Sequence, residues 1–222
     1  GEADLRYAVK GVDRRFSLVE NEVSGPTLRG KVRAFFRPGP VPQSDLDALA
    51  KHVWKGQFES QRALVIGGSR GLGELAVKLL GAGGAGVTFT YCRGQHEAGN
   101  LARCIREQGW PIDFFQLDVT NPESSIVNHY RDMPAPTHLY YFATPHIFDG
   151  QKGRFAKPLF DVFSQHYVHG LWRTFAALDS MGARPAYIFY PGTIASDDPP
   201  PEMMEYVAAK AAGEAICRIL HL

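Results

Sequence analysis

The stretch RALVIGGSRGLG, residues 62–73, decides the fold because an apolar run passes through spaced glycines into a helical pattern. The run before the glycines is short and apolar, as in a buried strand. Gly67, Gly71 and Gly73 follow it, and a helix is predicted over 71–83. A dinucleotide pyrophosphate needs backbone amides close to its oxygens and the positive end of a helix beneath it. The strand, turn and helix therefore predict a dinucleotide site, with an ordinary glycine-rich turn as the alternative.

Strands and helices alternate from this turn to the end of the chain. The predicted strands are 62–68, 86–92, 112–120, 138–144 and 186–193, and the predicted helices are 71–83, 97–109, 122–133, 158–181 and 203–220. Such alternation is typical of parallel βαβ units, which bind ligands at the carboxyl ends of their strands. Residues 61–222 are therefore predicted to form an α/β domain with a doubly wound parallel sheet.

The first sixty residues follow a different pattern. Extended segments with alternating apolar residues surround a turn signal at 24–26, Ser-Gly-Pro, which predicts antiparallel strands. The prolines of 37–43 cannot continue a central strand, so 1–43 is predicted to be an antiparallel β segment that ends in a linker. A connecting helix is predicted over 44–60, with Ser44 as its N-cap.

The composition argues against several classes of function. The 222 residues carry a formal net charge of +1, so the chain has no global attraction to nucleic acid or to an anionic membrane. No apolar stretch approaches the ~20 residues that a membrane helix requires, and the N-terminus has no apolar signal region. Three scattered cysteines, Cys92, Cys104 and Cys217, predict reduced thiols in a cytoplasmic protein. His166 and His169 are one helical turn apart but lack a third ligand, so no metal site is predicted.

The spacing GxxxGxG of the three glycines resembles the glycine turn of the short-chain dehydrogenase/reductase family. Ser69 and Arg70 match the form of this turn that is often seen in NADP-dependent members. The resemblance implies that NADP(H) binds at the turn, through the residues Gly67, Ser69, Arg70, Gly71, Leu72 and Gly73.

The end of the second predicted strand favours NADP over NAD. An NAD site usually carries an acid there to hold the ribose 2′-hydroxyl, whereas this chain reads TYCRG and places Arg93 near that position. A guanidinium can bind a 2′-phosphate through two hydrogen bonds, while a carboxylate would repel it. The alternative for Arg70 or Arg93 is a solvated surface arginine. By the same resemblance, Asp118 and Val119 match the family's Asp-Val pair beside the adenine, and Ala143 is retained from its Asn-Ala-Gly motif.

Tyr206 and Lys210 are the predicted catalytic pair. They lie four residues apart on a predicted helix, which puts both side chains on one face with their β-carbons about 5–6 Å apart. Carbonyl reduction needs a proton donor, and a neighbouring ammonium lowers the pKa of a tyrosine from its usual value near ~10. In the family the lysine also holds the nicotinamide ribose, and a serine thirteen residues before the tyrosine holds the substrate carbonyl. Thr193 occupies that serine's place with the same hydroxyl, which could instead satisfy backbone groups at the strand end.

The chain departs from the family's pattern at two motifs and at its end. Asn-Ala-Gly is replaced by Phe-Ala-Thr at 142–144, and Tyr167 stands three residues before Gly170, where the family has a catalytic asparagine. Tyr167 is expected either to substitute for that asparagine through its hydroxyl or to pack in the core. Complete members continue with a further strand and a substrate-covering segment, which pack the oligomer in many of them. Because this chain ends at Leu222, soon after Lys210, those elements are expected to be missing.

These patterns lead to one favoured function and two alternatives. The favoured function is NADP(H)-dependent reduction of a carbonyl compound, or the reverse oxidation, in a protein that could form a homo-oligomer. Residues 25–43 resemble the closing strands of hot-dog-fold acyl dehydratase domains, which implies an acyl-thioester substrate; the alternative is a β-hairpin that decorates the reductase. The other functions are an NADP(H)-binding sensor or scaffold without chemistry, and a nucleotide-sugar epimerase, whose larger C-terminal substrate domain is absent from this sequence.

Overall fold

The N-terminal part of the chain forms an antiparallel sheet, as predicted. The computed structural model describes residues 5–13, 18–35, 43–147, 150 and 154–220, and the chain divides into two units, residues 1–42 and 43–222. In the first unit, three strands pair in the order β1 (Arg6–Asp13), β2 (Leu18–Ser24) and β3 (Arg29–Phe35). Most of the predicted linker, residues 37–42, lies outside the described residues.

The connecting segment is less helical than predicted. Within 44–60 only α1 (Leu46–Ala50) is an α-helix, and turns follow it, so the predicted helix is wrong in its length. Asp45, and not Ser44, is the N-cap residue, and its side chain makes no capping hydrogen bond. Gly56 adopts a φ of +86°, a left-handed conformation that cannot continue a right-handed helix.

Five parallel strands form the sheet of the second unit, in the order β6-β5-β4-β7-β8. The strands are β4 (Arg62–Ile66), β5 (Gly86–Tyr91), β6 (Ile112–Gln116), β7 (His138–Tyr141) and β8 (Tyr187–Phe189). The chain starts at β4, winds outward to β6, and then crosses to β7 on the other side of β4. This doubly wound order opens a crevice at the carboxyl ends of β4 and β7, where the direction of winding reverses. The predicted α/β fold is confirmed.

Helices cover both faces of this sheet. They are α2 (Gly71–Ala82), α3 (Gln95–Glu107), α4 (Glu123–Tyr130), α5 (Lys157–Ser164), α6 (Gly170–Ser180) and α7 (Met204–Leu220). On β4, Ala63 and Val65 pack with α2 and α3, while Leu64 and Ile66 pack with α4 and α6. All four side chains are buried, which explains why this strand is a continuous apolar run in the sequence.

The long helix predicted over 158–181 is interrupted between α5 and α6 by a π-helical segment, Gln165–His169. The N–H of Gly170 donates a hydrogen bond to the Gln165 carbonyl, five residues earlier. The Tyr141 hydroxyl donates a hydrogen bond to the His166 carbonyl at 2.6 Å. Gly170 permits this approach, because a Cβ there would lie 2.6 Å from the Tyr141 hydroxyl oxygen. Single π turns of this kind are frequent at functional sites.

Candidate active site

The helix α2 begins at the glycine turn with free backbone amides. Arg70 is its N-cap residue, and the N–H of Glu74 bonds back to the Arg70 carbonyl at 3.3 Å. The amides of Gly71, Leu72 and Gly73 therefore have no acceptor within the helix. They can bind an anion, which the positive end of the helix dipole also attracts.

The glycines make this turn closely packed on one side and open on the other. Gly67 and Gly71 have φ values of +76° and +61°, which few other residues adopt. A Cβ at Gly73 would lie 2.9 Å from the carbonyl carbon of Gly67, so α2 packs directly against the end of β4. Apart from its chain neighbours and the backbone of its own helix, no described atom lies within 4 Å of the position that a Cβ at Gly71 would take. The turn can therefore receive a ligand from that side.

Hydrogen bonds place the turn at the carboxyl ends of three strands. The N–H of Gly67 donates to the Thr90 hydroxyl of β5 at 3.0 Å. On the other side, the N–H of Phe142 donates to the Ile66 carbonyl at 2.8 Å, and Ala143 follows directly. The turn thus borders the crevice where the strand order reverses. Sequence reasoning missed Thr90, because its role depends on how β4 and β5 pair.

Three charged residues predicted to bind the cofactor, Arg70, Arg93 and Asp118, have exposed side chains at this edge of the sheet. Arg70 begins α2, and Arg93 follows β5 two residues after its end. Asp118 accepts hydrogen bonds from the Thr120 amide at 2.9 Å and the Thr120 hydroxyl at 2.8 Å. These bonds lower the pKa of Asp118, with smaller contributions from His166 and Arg93. The positive charge of Arg93 therefore acts on the Asp118 carboxylate and stabilises its ionised form.

Three further residues of the predicted cofactor site differ in exposure. Ser69 and Val119 are buried, whereas Leu72 is 64% exposed on the first turn of α2. The side chain of Val119 packs in the core with residues of α4 and α6.

Tyr206 lies on α7 with its ring in an aromatic cluster. Phe163 of α5 and Tyr167 of the π-helical segment meet this ring edge-on, with centroid distances of 5.8 and 5.6 Å. Edge-to-face contacts of this kind favour a defined ring orientation. The structure thus brings together Tyr206 and Tyr167, which are both predicted to be catalytic.

Lys210 is enclosed by aromatic rings one helical turn further along α7. Its Nζ lies 4.3 Å from the ring centroid of Tyr190 and 4.7 Å from that of Tyr167, and it donates to the Pro191 carbonyl at 2.7 Å. Burial lowers the pKa of Lys210 to about 8, although the carboxylate of Glu214 acts in the opposite direction. Sequence reasoning missed Tyr190, whose one signal is an aromatic residue directly before Pro-Gly-Thr.

Tyr167 packs in the core, which is one of the two roles expected for it. Its ring is buried in the core, and its hydroxyl is hydrogen-bonded to that of Thr144. The Thr144 hydroxyl donates its own proton to the Pro145 carbonyl at 3.1 Å, so Tyr167 is the donor in the bond between the two hydroxyls. Burial raises the pKa of Tyr167. The phenol is therefore protonated at neutral pH and bonded to an exposed residue at the end of β7.

Thr193 begins a short 3₁₀ turn, Ile194–Ser196, after β8. Its hydroxyl oxygen accepts a hydrogen bond from the Ala195 amide at 3.3 Å, which is the backbone role considered for it. The hydroxyl hydrogen is not used in this bond and can still donate to a substrate carbonyl. The bond from Lys210 to Pro191, two residues earlier, ties this loop to α7.

Neither a metal centre nor a membrane-spanning helix is found in the described ranges of the chain. No three histidine, cysteine, aspartate or glutamate side chains there are grouped so that they could hold a metal ion. None of the helices in those ranges combines the length and the apolar character that crossing a bilayer requires.

Comparisons with known proteins bear on the fold. The sequence matches no protein-family model and no curated protein sequence. The structure is similar to that of a short-chain dehydrogenase from Burkholderia cenocepacia J2315 in complex with NADP, with a TM-score of 0.61, 24% identity, and coverage of 70% of this chain and 65% of that chain. FolM alternative dihydrofolate reductase 1 from Brucella suis, also in complex with NADP, gives a TM-score of 0.62, 20% identity, and coverage of 73% and 67%.

A third similar structure is a short-chain dehydrogenase from Shigella flexneri 2a str. 301. It gives a TM-score of 0.65 and 20% identity, and the match covers 75% of this chain and 76% of that chain. The chain thus spans about two thirds of the length of the first two structures and about three quarters of the third. These similarities confirm the fold that the glycine spacing implies. The chain has the fold of the short-chain dehydrogenases/reductases.

Proposed function

We propose that the chain is an NADP(H)-dependent oxidoreductase that reduces a carbonyl group by hydride transfer, or catalyses the reverse oxidation. The observation that carries this proposal is a continuous path of contacts from the glycine turn to Tyr206. Gly67 lies against Ala143, because a Cβ at Gly67 would be 3.1 Å from the Ala143 nitrogen. The next residue, Thr144, is hydrogen-bonded to the Tyr167 hydroxyl, and the ring of Tyr167 contacts that of Tyr206. These contacts support a nucleotide site on the turn and a substrate site beside Tyr206 at the same edge of the sheet.

The residues around the turn suit NADP(H) in their chemistry. The amides of the first turn of α2 suit a pyrophosphate, and the exposed Arg70 and Arg93 can hold a 2′-phosphate. Asp118 and Val119 are proposed to border the adenine, and Ala143 to contact the cofactor further along the crevice. Two of the similar structures contain NADP, which supports the same choice.

The proposed reaction assigns one role to each residue near Tyr206. Bound NADPH supplies a hydride to the carbonyl carbon. Tyr206 donates its phenolic proton to the carbonyl oxygen, so that an alcohol forms and Tyr206 becomes a phenolate, which takes a proton back from solvent. The positive charge of Lys210 is proposed to offset the negative charge that develops on the Tyr206 oxygen during the reaction, and the Thr193 hydroxyl donates a hydrogen bond that orients the carbonyl. Tyr167 stays protonated and supports the Tyr206 ring.

Lys210 has enough donors for a second role. An ammonium has three N–H donors, and the Pro191 carbonyl accepts one of them. The remaining two can hold the nicotinamide ribose hydroxyls. Cation–π contacts with the rings of Tyr167 and Tyr190 would hold the ammonium in the position from which it binds the ribose.

The substrate class is proposed more narrowly than carbonyl compounds in general. The resemblance of residues 25–43 to acyl dehydratase domains favours a 3-oxoacyl thioester. Acetoacetyl-coenzyme A is therefore the first substrate to test, with ethyl acetoacetate and benzaldehyde as simpler carbonyl compounds.

Consumption of NADPH by the wild type and by Tyr206→Phe tests the proposal. We expect the wild type to consume NADPH with at least one of these compounds. Tyr206→Phe should bind NADPH with an unchanged Kd, measured by nicotinamide fluorescence, but lose a factor of about 10²–10⁴ in kcat because no proton is donated. Retained turnover in this variant would remove Tyr206 from the mechanism. Binding of NADPH without consumption would favour the sensor alternative, and absence of binding would reject both functions.

A further inference from the structure

Glu205 is an acidic residue that is almost completely buried, directly before Tyr206. Its side chain is 1% exposed, which makes it the most buried of the charged residues that the structure describes. Taking a carboxylate out of water is costly unless its oxygens receive hydrogen bonds. The position of Glu205 therefore depends on a specific partner in the protein.

That partner is the start of another helix. An oxygen of the Glu205 carboxylate accepts a hydrogen bond from the backbone N–H of Ala156, which is the N-cap residue of α5. The methyl side chain of Ala156 cannot cap the helix itself. In a capping box, an acidic side chain at the third residue of the same helix accepts a hydrogen bond from the N-cap backbone N–H. In α5 that third residue is Leu159, which cannot accept a hydrogen bond through its side chain. Glu205 supplies the missing acceptor from α7, at the positive end of the α5 dipole.

This bond and the aromatic contacts together connect α5 to Tyr206 at two points. Glu205 fixes the first turn of α7 to the start of α5. Two turns further along α5, Phe163 meets the Tyr206 ring at a centroid distance of 5.8 Å. The Tyr206 backbone is thus held through its neighbour, and its ring is held through Phe163.

We propose that Glu205 is a positioning residue that sets the place of the Tyr206 phenol for proton transfer. This inference rests on the proposed function of Tyr206. Because Glu205 is 1% exposed, it is proposed to act through the Ala156 bond and not by contact with substrate or cofactor. Because proton transfer requires the phenol within hydrogen-bond reach of the carbonyl oxygen, a small displacement of α7 lowers turnover without altering the glycine turn.

Three variants test the proposal in the full chain with NADPH bound. Glu205→Ala removes the acceptor oxygen, and Glu205→Asp carries it on a side chain that is one methylene shorter. Glu205→Gln keeps an acceptor oxygen on a side chain of the same length. We expect Glu205→Ala to expose the Ala156 amide to faster hydrogen exchange and to lower kcat for acetoacetyl-coenzyme A by about 10²-fold. Glu205→Asp should lose less, Glu205→Gln should restore both properties, and the Kd of NADPH should stay unchanged in all three.

A matched control separates positioning from stability. Ile126→Val shortens a fully buried side chain on α4, in another part of the core, and should lower the melting temperature while leaving kcat unchanged. If Glu205→Ala resembles this control, with reduced stability and wild-type kcat, the positioning role is refuted. The positioning role is also refuted if, among the variants that fold, kcat does not decrease as the hydrogen-exchange rate of the Ala156 amide increases. A wild type without turnover would instead reject the proposed function, and the Ala156 exchange rates would still show whether the bond to Glu205 exists.

Discussion

The ammonium nitrogen of Lys210 lies 4.3 Å from the centroid of the Tyr190 ring, although the two residues are twenty positions apart in the sequence. The ring of Tyr167 lies against the same nitrogen, and the Pro191 carbonyl accepts its hydrogen bond. Two aromatic faces and one carbonyl oxygen therefore contact a buried cation. This arrangement stabilises the ammonium by cation–π attraction where water is largely excluded.

Replacing Tyr190 by Leu should weaken NADPH binding. The ammonium proposed to hold the ribose loses an orienting contact of about 0.5–2 kcal/mol, which corresponds to a rise of about two- to thirtyfold in the Kd of NADPH. Tyr190→Phe keeps the aromatic face and is the matched control, with a Kd near that of the wild type. Fluorescence titration of both variants decides the point, because equal Kd values would show that the ring face has no part in binding.

Charge loss at Lys210 should make NADPH affinity depend on pH. The pKa of Lys210 lies at about 8 because burial disfavours its charged form. The Kd of NADPH should therefore increase as the pH rises through this value and the ammonium becomes neutral. Lys210→Met should bind NADPH more weakly and lack this pH dependence. Titrations of both proteins on either side of the pKa measure it, and a wild-type Kd that is the same on both sides would contradict the prediction.

The lowered pKa of Lys210 should also make the free energy of unfolding depend on pH. The pKa of Lys210 is about 8 in the folded protein, compared with 10.5 for an unperturbed lysine, so the unfolded chain binds more protons between these two pH values. The free energy of unfolding of the wild type, relative to that of Lys210→Met, should therefore rise with pH across this interval. The penalty for burying the charge is fully present below it and relieved above it. Urea unfolding of the two proteins at several pH values provides the measurement, and a constant difference would argue against a lowered pKa.

Gly73→Ala should displace the glycine turn and abolish NADPH binding. A Cβ at this position would overlap the carbonyl of Gly67, which is backbone and cannot move aside without shifting β4 or α2. Gly99→Ala on α3 is the matched control, since no described atom outside the local helix backbone lies within 4 Å of its added carbon. It should stabilise the protein by roughly 0.5–1 kcal/mol, because alanine favours a helix interior over glycine. Thermal unfolding and NADPH titration compare the two variants, and equal NADPH binding would contradict the packing argument.

Arg93→Asp should reduce the preference for NADPH over NADH. Hydrogen bonds to a charged group contribute about 1.5–3 kcal/mol, so losing those to a 2′-phosphate should change the ratio of the two Kd values by about ten- to a hundredfold. Arg103→Asp makes the same charge change at an exposed position on α3 and should leave the ratio unaltered. An unchanged ratio in Arg93→Asp would place the phosphate elsewhere.

Within the doubly wound sheet, the predicted strand ends are least accurate at the carboxyl edge, where the candidate site lies. The third strand of the doubly wound sheet is predicted over 112–120, but β6 ends at Gln116. Leu117 and Val119 are apolar and therefore resemble strand residues, yet they leave the sheet to pack in the core beneath the crevice. The π-helical segment was not predicted either, because its residues keep a helical pattern and the insertion depends on Tyr141 from another element.

The sequence by itself determined the glycine turn and the spacing of Tyr206 and Lys210. Both are local properties: glycine spacing controls backbone conformation within one turn, and residues four apart share one face of a helix. Only the tertiary structure decided what each side chain meets, namely Lys210 with Tyr190, Tyr167 with Thr144, and Glu205 with Ala156. These partners lie 20 to 49 positions apart along the chain, so strand order and helix packing bring them together, and no local pattern encodes such contacts.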